Sequence, residues 1–308
     1  MKKLVSTLGL RREEWLRYRK RGIGGSDAAA VCGLNPYSSP LQVYLDKTSG
    51  ENGYDNEAMR QGRDLEEYVA RRFTEETGRK VRRANAIYYD EDHPYMLADA
   101  DRLVVGENAG LECKTVSPYN AEKWRDGGIP LHYQIQCYHY MSVFQTDKWY
   151  IAALVLGKEF IIREICYEKE IIENIRQMEK DFWEGYVEKG VLPDPDGTEG
   201  ADRLILEKFH EAEPGKEILL SGFQEKLNRR QELAGLINDM EAEKKRIEQE
   251  VKLYLGDAER AEGEGYRVSW TNVLSNKLDG ERLKKDKPEI YQEYLKPQKT
   301  RRLTIKAA

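Results

Sequence analysis

Glu112-Cys113-Lys114 sets a carboxylate and an ammonium two residues apart, a spacing that puts both on one face of an extended strand. Asp101 ends the preceding strand-like run, and the loop Gly106-Glu107-Asn108-Ala109-Gly110 suits a hairpin that brings it back beside Glu112. Two carboxylates with a lysine alongside are the set that metal-assisted phosphodiester hydrolysis needs. The acids supply hard oxygen ligands for Mg²⁺, and the metal activates water and neutralises phosphate charge. The ammonium orients that water or stabilises the developing charge. In a chain that is 34% charged such a triplet also arises by chance, so its neighbours decide its weight. Ala109-Gly110-Leu111 before it and Thr115-Val116 after it make an otherwise apolar strand, of the kind a parallel or mixed sheet buries. Charges in such a strand need a reason. Asp99 shares the side of Asp101 by alternation, and is expected at the strand edge in solvent rather than on the metal.

The elements that must position these groups read as an α/β block. Arg11 to Arg21 is a charged helix, Gly22 to Gly25 a flexible turn, and Ser26 the N-cap of a short helix that Gly33 ends. A helix from Glu57 to Thr77 carries Met59, Leu65, Val69 and Phe73 on one face and stops at Gly78. Strands are expected over Ala86 to Tyr89, Tyr95 to Val105 and Leu111 to Val116. A helix over Leu131 to Phe144 follows, then strands over Trp149 to Leu156 and Glu159 to Cys166, and a helix over Lys169 to Lys189. The stretch from Pro193 to Gly200, rich in Pro, Gly and Asp, marks a loop or linker. The resulting division is a domain over 1–192, a linker over 193–205 and a C-terminal arm over 206–308.

Composition narrows the class. The 308 residues allow an enzyme core with an appendage. Four scattered cysteines without a CxxC pair suggest neither a disulfide framework nor a zinc or iron–sulfur cluster, and a reducing cytoplasm is the expected compartment. No apolar run approaches the roughly 20 residues of a membrane span. A net charge of −5 excludes a globally basic nucleic-acid binder, but residues 1–21 hold eight basic side chains against two acidic ones, enough for a local phosphate-facing patch. The four histidines show no metal-ligand spacing and read as structural or surface residues. Tyr133, Tyr138 and Tyr140 either stack bases or pack in a core.

Five blocks in consistent order carry a resemblance. They are Arg19 to Asp27 (RKRGIGGSD), Gly62 to Glu66 (GRDLE), Leu97 to Leu103 (LADADRL), Leu111 to Thr115 (LECKT) and Gln136 to Met141 (QCYHYM). Over roughly residues 10 to 190 the chain resembles the YqaJ-type viral recombinase family, which is similar to the phage lambda exonuclease within the PD-(D/E)XK nuclease superfamily. The resemblance implies a restriction-endonuclease-like core, a mixed central sheet flanked by helices. It implies a 5′ to 3′ exonuclease resecting double-stranded DNA ends for phage-type recombination, with Mg²⁺, or Mn²⁺ in its place, as cofactor. Asp101 and Glu112 would be the principal metal ligands with the backbone carbonyl of Cys113, Lys114 the catalytic lysine, and Glu66 the upstream acid on a second metal. Gln136 with Tyr140 fits the QxxxY motif, although Gln134 with Tyr138 has the same spacing. Ser26 and either Arg19 or Arg21 match the region that receives the terminal 5′ phosphate, and Tyr140 is grouped with them on the DNA side. Asp99, an extra acid before Asp101, departs from the pattern. A single-strand annealing protein is the expected partner, a ring trimer the analogous assembly, and the cytoplasm of a phage's or prophage's bacterial host the expected setting. The rivals are a nicking or structure-specific endonuclease of the same fold and a non-catalytic end-binding module.

The arm is less specific. Leu233, Ile237, Met240, Ile247, Val251 and Tyr254 follow coiled-coil steps broken only by Lys244. Strands are expected at Tyr266 to Trp270 and Arg302 to Ile305, with a short helix at Ile290 to Leu295. The arm reads either as a packing or oligomerisation device or as a clamp on DNA or a docking surface.

Overall fold

Two sheets share the N-terminal part of the molecule, and the chain passes from one to the other at the residues singled out above. A computed structural model describes residues 1–49, 56–263, 265–296 and 300–306. It divides into two units, Met1–Phe209 and His210–Ala308.

In chain order the first unit contains β1 (Lys2–Ser6), α1 (Arg12–Arg19), β2 (Ile23–Gly24), α2 (Gly25–Val31), α3 (Pro40–Thr48), α4 (Glu57–Thr77), β3 (Val81–Arg83), β4 (Ala86–Tyr89), β5 (Met96–Ala98), β6 (Arg102–Val104) and β7 (Ala109–Val116). A 3₁₀ segment (Pro118–Gly127), α5 (Leu131–Phe144), β8 (Lys148–Val155), β9 (Glu159–Cys166), α6 (Lys169–Phe182) with a π-helical extension (Trp183–Val187), and α7 (Glu199–Lys208) complete it. One sheet has the order β1-β4-β5-β2, the other β3-β6-β7-β8-β9. β7 and β8 are parallel and joined through α5, as a parallel pair demands. β6 and β7 form the expected hairpin, with Arg102 opposite Leu111 and Leu103 opposite Gly110.

The single strand expected over Tyr95 to Val105 is two. β5 pairs with β4 and β2, β6 with β3 and β7, and residues 99–101 cross between the sheets. Two aspartates, poor strand formers, sit in that crossing.

Local chemistry explains the helices nearest the site. In α4, Asn56 accepts from the Met59 N–H at 2.9 Å, and Gly78 ends the helix at φ +71°. Val69, Ala70 and Phe73 are buried and pack with Leu111, Tyr150 and Ala152 of β7 and β8, while Met59 stays exposed. α2 starts two residues earlier than expected. Gly24, not Ser26, is the N-cap, because Asp27 turns back to accept from the Gly24 N–H at 2.9 Å. Every residue of α5 from Ile135 to Phe144 is buried, so it is the central helix of the unit. Its buried polar residues are all satisfied: Gln136 in the site below, Ser142 by Arg176 at 2.7 Å, and His139 by Glu179 and the Leu97 carbonyl, both at 2.8 Å. β1 and α3 carry no expectation from the sequence.

The linker expected over 193–205 ends early. Thr198 caps α7, and Ala201 is buried, with α7 packed against α3, so the unit boundary falls after Phe209.

In the second unit α8 (Gln224–Leu255) is a 32-residue helix. Leu233, Ile237, Met240 and Ile247 of its heptad seam are exposed. β10 (Arg260–Gly263) and β11 (Tyr266–Ser269) form a hairpin, followed by α9 (Gly280–Asp286) and α10 (Pro288–Glu293). The strand expected at Arg302 to Ile305 does not form; this stretch has no strand partner among the described residues.

Candidate active site

β7 carries Glu112 and Lys114 on one face, and the crossing between the sheets delivers Asp101 to the same place. Lys114 Nζ lies 2.5 Å from Glu112 Oε1. Asp101 Oδ2 accepts from the Cys113 N–H at 2.8 Å, which pins the carboxylate to the edge of β7 beyond its pairing with β6. In a strand the N–H and C=O of one residue leave toward the same edge, so the Cys113 carbonyl shares the side of Asp101. Gln136 closes the cluster from α5: its Oε1 accepts from Lys114 at 3.0 Å, and its Nε2 donates to Glu112 Oε1 at 2.7 Å and Tyr140 Oη at 3.2 Å. Of the two registers with QxxxY spacing, the structure brings Gln136 and Tyr140 here. Gln134 instead donates to the Ile129 carbonyl, and the Tyr138 hydroxyl to Glu168.

Electrostatics of the cluster favour a cation. Burial, then the charges of Glu112 and Glu66, push the Asp101 carboxyl well above the ordinary carboxylate range. Burial also raises Glu112, against the pull of Lys114 and Gln136. Burial alone would lower Lys114, but Glu112, Tyr133 and Asp101 outweigh it and hold its pKa up, and the ammonium also lies 4.7 Å above the Tyr133 ring. Glu112 Oε2 is buried without a hydrogen-bond partner among the described residues. An orphaned carboxylate oxygen beside a second strained carboxylate fits a hard divalent cation. Asp101, Glu112 and the Cys113 carbonyl would hold it, with water completing the shell. The third acid stands differently: Glu66 on α4 is engaged by Arg102, which also donates to Glu67 at 2.9 Å and to the Asp101 carbonyl at 2.6 Å. Accordingly, among the described residues no three His, Cys, Asp or Glu side chains form a ready cage.

A second polar centre adjoins the first. Arg19 Nη2 donates to Ser26 Oγ at 2.6 Å, and the guanidinium lies 4.7 Å over the Trp15 ring. Beneath them, Asp27 pairs with buried Lys47 at 2.5 Å. Its carboxyl is held down to about 2, since Lys47 and Arg19 overcome the effect of burial. Arg21 is not part of this centre; it stacks over Tyr18 at 4.8 Å. Tyr140 is buried, with its ring against Gly25, where a Cβ would fall 2.5 Å from a ring carbon. It therefore braces Gln136 and α2 and presents no surface for DNA. Asp99 is half-buried and lies outside the cluster, and Trp15 Nε1–H donates to its Oδ2 at 2.5 Å. That contact links the two centres through Asp99, Trp15, Arg19 and Ser26.

Sequence reasoning missed Arg102, Lys47 and Trp15, and it named Tyr133 as a stacking or core residue without its place under the Lys114 ammonium. Arg102 had a signal, an arginine directly after Asp101 with paired glutamates on the facing helix. Lys47 and Trp15 had none, since their partners lie 20 and 84 residues away.

Residues 14–148 match the model of the YqaJ-like viral recombinase domain. The chain is 36% identical over 308 residues to the uncharacterized protein YqaJ of Bacillus subtilis, across 98% of this chain and 97% of that protein. Among solved structures, an alkaline exonuclease from Laribacter hongkongensis superposes with a TM-score of 0.51 at 18% identity, over 65% of this chain and all of that one. Its complex with dAMP gives the same score at 19% identity. The shared fold is the restriction-endonuclease-like PD-(D/E)XK core, a mixed sheet flanked by helices. No helix among the described residues is long and apolar enough to cross a membrane. With 36% identity to YqaJ over nearly the full length of both and the domain match over the residues that build both polar centres, this chain belongs to the YqaJ-like viral recombinase family.

Proposed function

We propose that the chain is a metal-dependent deoxyribonuclease, a 5′ to 3′ exonuclease that resects double-stranded DNA ends for phage-type recombination. The observation that carries this reading is the buried cluster of Asp101, Glu112 and Lys114, in which one carboxylate oxygen is orphaned and Gln136 fixes the other with the lysine. A divalent ion, Mg²⁺ or Mn²⁺, supplies water activation and neutralises phosphate charge when bound. Lys114, locked between Glu112, Gln136 and Tyr133, holds an ammonium beside the position of the attacking water and the charge that develops on phosphate. Arg19 and Ser26 offer a fork and a hydroxyl to a terminal 5′ phosphate, with Asp27 and Lys47 neutralising each other beneath. The released product is a nucleotide that keeps its 5′ phosphate. The dAMP bound by the alkaline exonuclease is a mononucleotide of that class. A single-strand annealing protein is the proposed partner and a ring the proposed assembly, both by family.

Digestion of linear duplex labelled separately at its 5′ and 3′ ends, with Mg²⁺ or EDTA, tests the reading. Metal-dependent loss of 5′ label as mononucleotides is expected, with closed circles untouched. Glu112→Gln should lower the rate on the order of a thousandfold. Cleavage of closed circles would instead show an endonuclease, and binding without cleavage under any divalent metal would show an end-binding module.

A further inference from the structure

We infer that Tyr37 and His132 form a base-stacking subsite for the nucleotide flanking the scissile phosphate on the side away from Arg19 and Ser26. The subsite rests on the nuclease reading above and adds to it a contact with the base.

His132, Gln136 and Tyr140 are spaced four residues apart, so they lie along one stripe of α5 with a rise of about 6 Å per step. Tyr140 marks one end, with its ring against Gly25, the residue before Ser26. Gln136 marks the reaction centre. His132 marks the other end, and there the stripe becomes aromatic. The His132 ring lies 4.1 Å from that of Tyr133 and meets Tyr37 edge-on at 5.7 Å and 86°. Tyr133 in turn carries the Lys114 ammonium on its ring. An unbroken series of planes thus leads from the catalytic lysine to Tyr37, whose surface is 68% exposed.

Tyr37 is a large aromatic side chain that the fold leaves in solvent yet holds in place. Its backbone N–H donates to Asn35 Oδ1 at 2.9 Å, and Ser39 two residues on caps α3 by accepting from the Gln42 N–H at 3.1 Å. An exposed ring on a fixed loop loses little entropy when a base stacks on it. The cations facing His132 are Lys114 and Lys123; with burial, the larger cause, they hold its pKa down to about 4, so the ring stacks as a neutral plane with positive charge beside it for phosphate. Base stacking of this kind is indifferent to sequence, as degradation of any duplex end requires.

The test uses the full chain on 5′-phosphorylated duplex. In a Glu112→Gln background, 2-aminopurine at the second nucleotide should be quenched on binding. The quench should be lost with Tyr37→Ala and kept with Tyr37→Trp. In the cleaving protein, Tyr37→Ala should raise KM about fivefold or more with kcat nearly unchanged. That effect should vanish on a duplex abasic at the second nucleotide. Unchanged quench and KM in Tyr37→Ala, or an equal loss on the abasic duplex, would overturn the subsite while cleavage by the parent chain leaves the nuclease reading standing. Absence of cleavage by the parent chain with quenching intact would overturn the nuclease reading and keep the stacking surface.

Discussion

The Gln136 amide accepts from Lys114 through oxygen and donates to Glu112 and Tyr140 through nitrogen, a polarity that suits a charged lysine facing an ionised glutamate. Asp101 has the Cys113 N–H and the charge of Lys114 on its side, and it faces Glu112 and Glu66. Asp101→Asn removes that repulsion while keeping an acceptor for Cys113. It should therefore raise the metal-free Tm by a few degrees while abolishing cleavage. In the parent chain a saturating divalent ion should raise Tm by roughly 5 °C or more, and in Asp101→Asn by almost nothing. The sign with pH follows from the raised carboxyls. Their protons compete with the ion, so the metal-induced shift grows as pH rises through the elevated values and fades below them. Thermal melts with Mg²⁺ and EDTA at several pH values check all three. The meeting of these carboxylates was legible in the sequence because a hairpin loop and a two-residue spacing on one strand bring them together. Lys47 was not, because a buried cation is defined only by the distant acid that neutralises it.

At the scale of elements, α5 does two jobs with one buried cylinder. One stripe carries Gln136 and Tyr140, and His139 points elsewhere, to Glu179 on α6 and the carbonyl of Leu97 on β5. The closeness of α2 to α5 depends on Gly25. Gly25→Ala would place a methyl 2.5 Å from the Tyr140 ring, at a cost of about 1–3 kcal/mol. A Tm loss of several degrees and a fall in kcat are expected, because Tyr140 braces Gln136. Gly62→Ala within α4, where nothing lies within 4 Å, should hold or raise Tm; calorimetry on the two variants separates the cases. Helix ends were readable where a glycine determines them, as at Gly78. Ser26 misled because a serine at the second helical position resembles a cap until Asp27 is seen to supply the contact itself. The break in the strand over Tyr95 to Val105 was hidden for a different reason. Alternation reports which face a residue takes and says nothing of which neighbour its backbone pairs with.

For the molecule as a whole, the boundary lies after Phe209, later than the Pro and Asp stretch suggests. A linker signal of Pro and Gly marks where a chain can bend. Burial of Ala201 in α7 decides where the unit ends. Exposed Ile218 and Leu219 lie outside regular structure just beyond it. Brief trypsin treatment should cut first at Lys216, and a fragment ending near Lys208 or Lys216 should persist; mass spectrometry of the digest checks this. Persistence of the intact chain at the same dose would show the two units to be one cooperative body. The sheet architecture has a mechanical consequence. β5 and β6 belong to different sheets, and residues 99–101 join them, as residues 84–85 join β3 to β4. Asp101 thus sits on the joint, and Glu112 on the second sheet alone. Any ligand that bridges these two carboxylates acts as a splint across the joint, so loading the reaction centre also stiffens the frame that built it.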